Sequence, residues 1–228
     1  MQLLKKKGIL VFWLILLLDC YFTFQGQTAY RNFTKVLLVP VIILYIFLNA
    51  RKNVYRNTKT LVFFALVAAW VGDILLLNSG TIFFLLGMLA FATMHILFII
   101  TFYRFQKIRL SKGQEAFIAA VIMGIVAFQV FRHIKPELGA LEVPVIIYMA
   151  IISITMIVAS NLLSSNARKF TARTYFVPGA ALFVVSDTIL ALQMFLLKDV
   201  EFLSVIVMLS YGYALSLFGE GFAKTLKG

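Results

Sequence analysis

A chain of 228 residues that is 62% hydrophobic and only 13% charged, with a mean hydropathy of +0.99, lacks the polar surface a soluble domain of its length needs. Its net charge of +12 is no argument for nucleic acid, because the cations flank apolar runs where anionic headgroups attract them at roughly 1 kcal/mol each. A single cysteine, Cys20, excludes an internal disulfide, and with only two histidines, His95 and His133, neither a metal site nor a cofactor is expected.

The first apolar run, residues 8–24, follows Lys5, Lys6 and Lys7 as a secretory signal would, but Asp19 interrupts it and no small-x-small cleavage site follows, so it reads as a retained helix. Further apolar stretches fall at 36–49, 60–77, 82–103, 114–131, 143–163, 174–197 and 202–223. A bilayer crossing takes about 20 residues, which predicts an all-α polytopic protein of about eight transmembrane helices forming one integral membrane domain over residues 1–228. The second stretch is the shortest; Pro40 near its start and Pro144 near the start of the sixth suit early helical turns, where a missing N–H matters least.

Lysines and arginines alternate in abundance between loops. The N-terminal tail, the second, fourth and sixth loops and the C-terminal tail carry 16, including Lys52, Arg109 and Lys112, while Arg31, Lys35, Arg132, Lys135 and Lys198 make five on the other side. The positive-inside rule then puts both termini in the cytoplasm, in what reads as a bacterial inner membrane. His133 falls in a loop and reads as solvated, and Glu220, four residues before Lys224, reads as a helix-surface ion pair.

An internal echo is present. Val71-Gly72-Asp73-Ile74-Leu75-Leu76 is matched by Val185-Ser186-Asp187-Thr188-Ile189-Leu190 at an offset of 114, half the chain. A parallel repeat of four helices plus four accounts for it.

Three aspartates lie inside spans: Asp19, Asp73 and Asp187. Each opposes insertion by about 2.5–3.5 kcal/mol, and a hydrogen bond to a neighbouring helix returns only about 0.6 kcal/mol on average. Such groups belong at a protein interior or a watery cavity. Ala65, Ala69 and Asp73 recur every four residues, as do Gly87, Phe91 and His95, and Gly179, Phe183, Asp187 and Ala191, so three helices turn Asp73, His95 and Asp187 inward. A pocket open to the outer side would reach these and Asp19, with Lys35 or Arg31 at its mouth; Tyr211 and Tyr213 either line it or belong to the aromatic belt.

The segments Val71–Leu76, Gly87-x-x-x-Phe91-x-x-x-His95 and Gly179–Asp187 together resemble the YhhN/TMEM86 membrane proteins over nearly the whole chain. The second helix departs from the usual Lys-Pro start, since Val36 follows Lys35, and the Tyr211-Gly212-Tyr213 end departs from a Tyr-Tyr pattern. The resemblance implies a lysoplasmalogenase-like hydrolase acting on a lysophospholipid among membrane lipids. It would have Asp73, Asp187 and His95 as catalytic residues and Lys35, Arg31, Asp19, Tyr211, Tyr213 and Ser186 as substrate contacts. Two carboxyls in one poorly hydrated site, with mutual repulsion keeping one protonated, suit acid-catalysed cleavage of a vinyl ether.

A proton-coupled transporter or channel is the rival, because intramembrane Asp and His also build proton relays. An intramembrane aspartyl protease fits less well, since Trp70 stands where its Gly-x-Gly-Asp motif starts, and no Gly-x-Ser-x-Gly element supports a serine hydrolase.

Overall fold

The computed structural model describes residues 2–51, 55–108, 113–198 and 200–227, with side chains from Lys7 onward. Of the loop cations tallied above, Lys52, Arg109 and Lys112 lie outside the described residues, as do the side chains of Lys5 and Lys6. The described residues are helical almost throughout and contain no strand. In order they form α1 (Gln2–Phe24), α2 (Thr28–Asn49), α3 (Arg56–Leu75), α4 (Thr81–Phe105), α5 (Gln114–Leu138), α6 (Glu142–Asn161), α7 (Lys169–Thr171), α8 (Val177–Phe195) and α9 (Phe202–Lys227). The short α7 continues through a π-turn, Ala172–Phe176, into α8, so these three pieces make one rod.

Seven segments among the described residues are long and apolar enough to cross a bilayer, and the protein is an integral multi-pass membrane protein. Eight separate spans were expected; the difference lies in the fifth segment, Gln114–Ser164, whose 51 residues contain both α5 and α6. Fully extended as one helix it would measure about 77 Å, more than twice the hydrocarbon thickness. It is folded back instead. Gly139, at φ 50°, breaks the helix in a left-handed conformation that a side chain would resist, and α6 returns along α5.

Most helix pairings of one half recur in the other, although among the described residues α1 packs on α9 with no like packing of α5 on α4, and α5 packs on α8 with none of α1 on α3. The hairpin α1–α2 corresponds to α5–α6, and α3–α4 to α8–α9; the cross-packing of α2 on α9 corresponds to that of α6 on α4, and α2 on α3 to α6 on α8. Each half therefore presents its second helix to the last helix of the other half, as the matched Gly-Asp and Ser-Asp segments of the sequence lead one to expect.

The core of the bundle is aromatic. Phe98, Phe102, Phe176, Phe183, Phe218 and Phe222, from α4, the π-turn, α8 and α9, are fully buried and stack at ring-centroid distances such as 4.9 Å for Phe98–Phe218 and 5.3 Å for Phe183–Phe218. At the same end of the bundle as the termini, the ammonium of Lys224 donates to the Tyr175 hydroxyl and lies over its ring, in place of the ion pair with Glu220 that the sequence offered.

Two helices outrun their apolar stretches far enough to move residues singled out above. The second begins at Thr28 rather than near residue 36, which brings Arg31 and Lys35 into its first two turns. The fifth runs on to Leu138, so His133 is helical, with Nδ1 2.7 Å from the Gln129 carbonyl, and not in a loop. The early start also puts Pro40 in the interior of α2 instead of its first turn. A proline there offers no N–H to the carbonyl four residues back, that of Val36. The Trp70 indole N–H donates to that carbonyl at 2.9 Å and satisfies it from α3. Leaving such an acceptor unsatisfied costs about 1–3 kcal/mol. Trp70→Phe is therefore expected to lower stability by about that amount in detergent unfolding, and by much less in a Pro40→Ala background, where α2 supplies its own donor. Equal losses in both backgrounds would refute the link between Pro40 and Trp70.

Candidate active site

Asp73 stands near the C-terminal end of α3, 1% exposed, and Asp187 in the middle of α8. Both line one cavity of about 330 Å³, together with Arg31 and Lys35 of α2, Ser186 of α8 and Tyr211 of α9. The cavity reaches the α3–α4 turn at Asn78, Ser79 and Gly80 and the α8–α9 turn near Ser204, so it lies at the end of the bundle away from the chain termini. Gln193, which donates to Ser204 at 2.8 Å, pins the second turn.

Each aspartate is held by its own tyrosine. Tyr211 donates its hydroxyl to Asp73 Oδ2 at 2.6 Å, and Tyr148 of α6 donates to Asp187 Oδ2 at 2.7 Å. No hydrogen bond joins the two carboxyls. The two carboxyls face a common space from separate supports, and the expected mutual repulsion is not among the influences on either, since neither carboxylate is among the charges that act on the other. The reason lies in the packing, since α3 packs on α2 and α4 while α8 packs on α6 and α9.

Charge is distributed unevenly between them. Lys35, 6% exposed, makes no hydrogen bond and no ion pair within 4.0 Å among the described residues, and lies within electrostatic reach of Asp73, Arg31 and Asp19. Asp19, fully buried, accepts from Thr34 Oγ1 at 2.7 Å through one oxygen and has the charges of Lys35 and Arg31 nearby. Two cations thus face two carboxyls at the α1–α2–α3 side of the cavity. Among the described residues, the one side-chain hydrogen bond to Asp187 comes from Tyr148, and no cation is among the charges that act on it.

Residues 30–222 match the family model described as the YhhN family. The chain belongs to the YhhN family. No curated protein and no solved structure matches it.

In this YhhN chain a glycine on α3, beside Asp73, and one on α4 serve close approach. A side chain on Gly72 would stand 2.8 Å from the Phe91 ring, and one on Gly87 would stand 2.7 Å from Leu76. The two contacts lock α3 onto α4, and Phe91, thus seated, meets the Tyr211 ring edge-on at 5.8 Å, beside the hydroxyl that holds Asp73.

The other residues expected at the site divide. Asp73, Asp187, Lys35, Arg31, Ser186 and Tyr211 share the cavity, though the Ser186 hydroxyl is already given to the Val207 carbonyl at 3.1 Å. Asp19 lies behind the wall and does not line the cavity; it accepts from Thr34, and its charge reaches the cavity through Lys35 and Asp73. His95 is fully buried and does not line the cavity; its ring packs edge-on against Tyr148 at 6.2 Å and Phe183 at 5.3 Å, so it backs the tyrosine that holds Asp187. Tyr213 leaves the site altogether: it is 46% exposed and packs on Trp13, because two residues along a helix turn a side chain to another face. Tyr148, which holds Asp187, is the neighbour of the site that the sequence did not single out. The signal was present, for the 114-residue offset that relates Asp187 to Asp73 also relates Tyr148 to Thr34, the neighbour of Lys35.

Proposed function

We propose that the protein is a lysoplasmalogenase-type hydrolase, cleaving the vinyl-ether bond of a lysoplasmalogen to a fatty aldehyde and a glycerophospho-base. The observation that carries this reading is one membrane-embedded cavity walled by two separately held carboxyls, only one of which has a cation beside it among the described residues. Membership of the YhhN family and the resemblance already drawn support the same class of reaction.

Charge balance assigns the roles. The positive charges of Lys35 and Arg31 are matched by Asp73 and Asp19, whereas an ionised Asp187 would be an unmatched charge in a largely apolar wall. Asp187 is accordingly the acid and Asp73 the carboxylate. Asp187 gives its proton to the vinyl carbon remote from oxygen; the double-bond electrons form the new C–H bond and leave an oxocarbenium ion. Water adds to that ion as Asp73 takes a proton from it, giving a hemiacetal. The C–O bond to glycerol then breaks. Asp73 returns its proton to the departing oxygen, and Asp187 accepts the proton of the hemiacetal hydroxyl. The sum is one water consumed and both carboxyls restored. Glycosidases divide the same labour between an acid and a base across a water-sized gap. Arg31 at the mouth, with Lys35 deeper, suits the phosphate of the head group. On the cation tally, the termini face the cytoplasm and the cavity opens to the opposite side of the membrane.

Purified protein incubated with a lysoplasmalogen is expected to release aldehyde, and to release none from the saturated ether or the ester analogue. Absence of cleavage in a mixed lysolipid extract, with proton-coupled solute flux in liposomes, would replace this reading with a carrier.

A further inference from the structure

A second, apolar crevice adjoins the polar cavity. It is bounded by α4, α5, α6 and α8, and among its lining residues only Tyr148, Ser153, Asp187 and Thr188 are polar. Leu76, Phe84, Phe91, Leu190 and Asp187 belong to the walls of both spaces, so Asp187 sits at the junction between a charged chamber and a hydrocarbon-like one.

The pattern on α5 shows how the crevice arises. Met123, Ala127, Val130 and Ile134 fall at helical spacing on its inward stripe. The two ends of the stripe are sealed, with Met123 and Ile134 buried, yet Ala127 and Val130 between them remain half-exposed. The small side chain of Ala127 leaves the gap. The opposite face of α5 carries Ile118, Ile125 and Phe128, all exposed as lipid-facing residues are.

We infer that this crevice is the binding site for the single hydrocarbon chain of a lysolipid, which lies between α4 and α5 with its head group in the charged cavity and its first carbons beside Asp187. The inference rests on the hydrolase reading for the position of the reacting bond, but the chain site itself needs only the geometry. Continuity through Asp187 argues for an amphiphile, because a ligand spanning both spaces must be charged at one end and apolar at the other. The volume of about 80 Å³ is roughly six times what one water needs. It grips several carbons and no more. The rest of the chain passes outward between α4 and α5 into the bilayer, which makes total chain length unimportant and blockage at Ala127 decisive.

The probe is a saturated ether lysophospholipid, which cannot be hydrolysed, carrying a diazirine on the chain carbons nearest the ether. After illumination, labelled peptides are mapped by mass spectrometry. Label is expected on the inward positions of α5 and α6, such as Met123, Ala127 and Met149, and excess unlabelled ether lysolipid should suppress it. Ala127→Phe should cut labelling about tenfold or more, while Ile125→Phe, on the lipid-facing side, should leave it unchanged. Label confined to outward positions such as Ile125 and Phe128, label that does not compete, or undiminished labelling of a folded Ala127→Phe protein would each overturn the chain site. Should Ala127→Phe not fold, the map on the unaltered protein decides. Labelling in the crevice without aldehyde release from a lysoplasmalogen would keep the chain site and sink the hydrolase; aldehyde release without crevice labelling would do the reverse.

Discussion

Replacing either aspartate by asparagine should lower aldehyde release by about 10²–10⁴-fold, the usual contribution of a positioned acid or base, with both variants still folded and Asp73→Asn the less stable, since Lys35 keeps only Asp19 as its counter-charge. The amide is nearly isosteric with the carboxyl, and its oxygen still accepts from the tyrosine, Tyr148 for Asp187→Asn and Tyr211 for Asp73→Asn. What each variant loses is the ability to give or take a proton. Asp187→Asn should lose protonation of carbon, the step that creates the cation, and Asp73→Asn should lose activation of water. A check independent of rate follows from the first step. In heavy water the unaltered protein should place one deuterium on the aldehyde carbon next to the carbonyl, because that hydrogen comes from Asp187 and Asp187 exchanges with solvent. An oxidative cleavage would place none there. Full activity in either variant, or unlabelled aldehyde from heavy water, removes the two-carboxylate mechanism.

The parts of this site that could be read from the residues are those governed by one-helix physics. An aspartate in an apolar run is costly wherever it points, and helical spacing with the 114-residue echo was enough to select Asp73 and Asp187, while Tyr211 stayed undecided between the pocket and the aromatic belt. The parts that could not be read depend on what a neighbouring helix offers. Arg31 and Lys35 break the apolar run, so hydropathy alone ended the second span near residue 36; α2 nevertheless continues to Thr28, because Asp19 and Asp73 receive those cations from adjacent helices. Pro40 misled for the same reason, its missing donor being supplied by Trp70 across a helix boundary. Tyr148 lies in the run Val145-Ile146-Ile147-Tyr148-Met149, where an aromatic reads as one more apolar residue until Asp187 stands 2.7 Å from its hydroxyl. The division of α5 from α6 was legible too: the apolar runs 114–131 and 143–163 are parted by a polar stretch with Arg132, Lys135, Glu137 and Glu142, and Gly139 turns the chain back there.

The charge balance at the cavity carries a second large prediction, on stability rather than rate. Removing one partner of a buried charge pair costs about 3–5 kcal/mol, since the other is left uncompensated. Lys35→Met keeps the length and apolar stem of the side chain but deletes the ammonium that faces Asp73 and Asp19. It should therefore destabilise the protein strongly near neutral pH. Asp73→Asn removes one of the two negative charges that Lys35 faces, so the double variant Lys35→Met/Asp73→Asn should be more stable than the sum of the two single losses predicts, by about 1–3 kcal/mol of coupling. The corresponding cycle between Lys35 and Asp187 should show none, because Asp187 is supported by Tyr148 and is not among the charges that act on Lys35. Unfolding free energies of the variants in one detergent measure both cycles. Coupling of Lys35 to Asp187 as large as to Asp73 would mean that the cation serves both carboxyls, and the assignment of Asp187 as the uncharged acid would lose its physical basis.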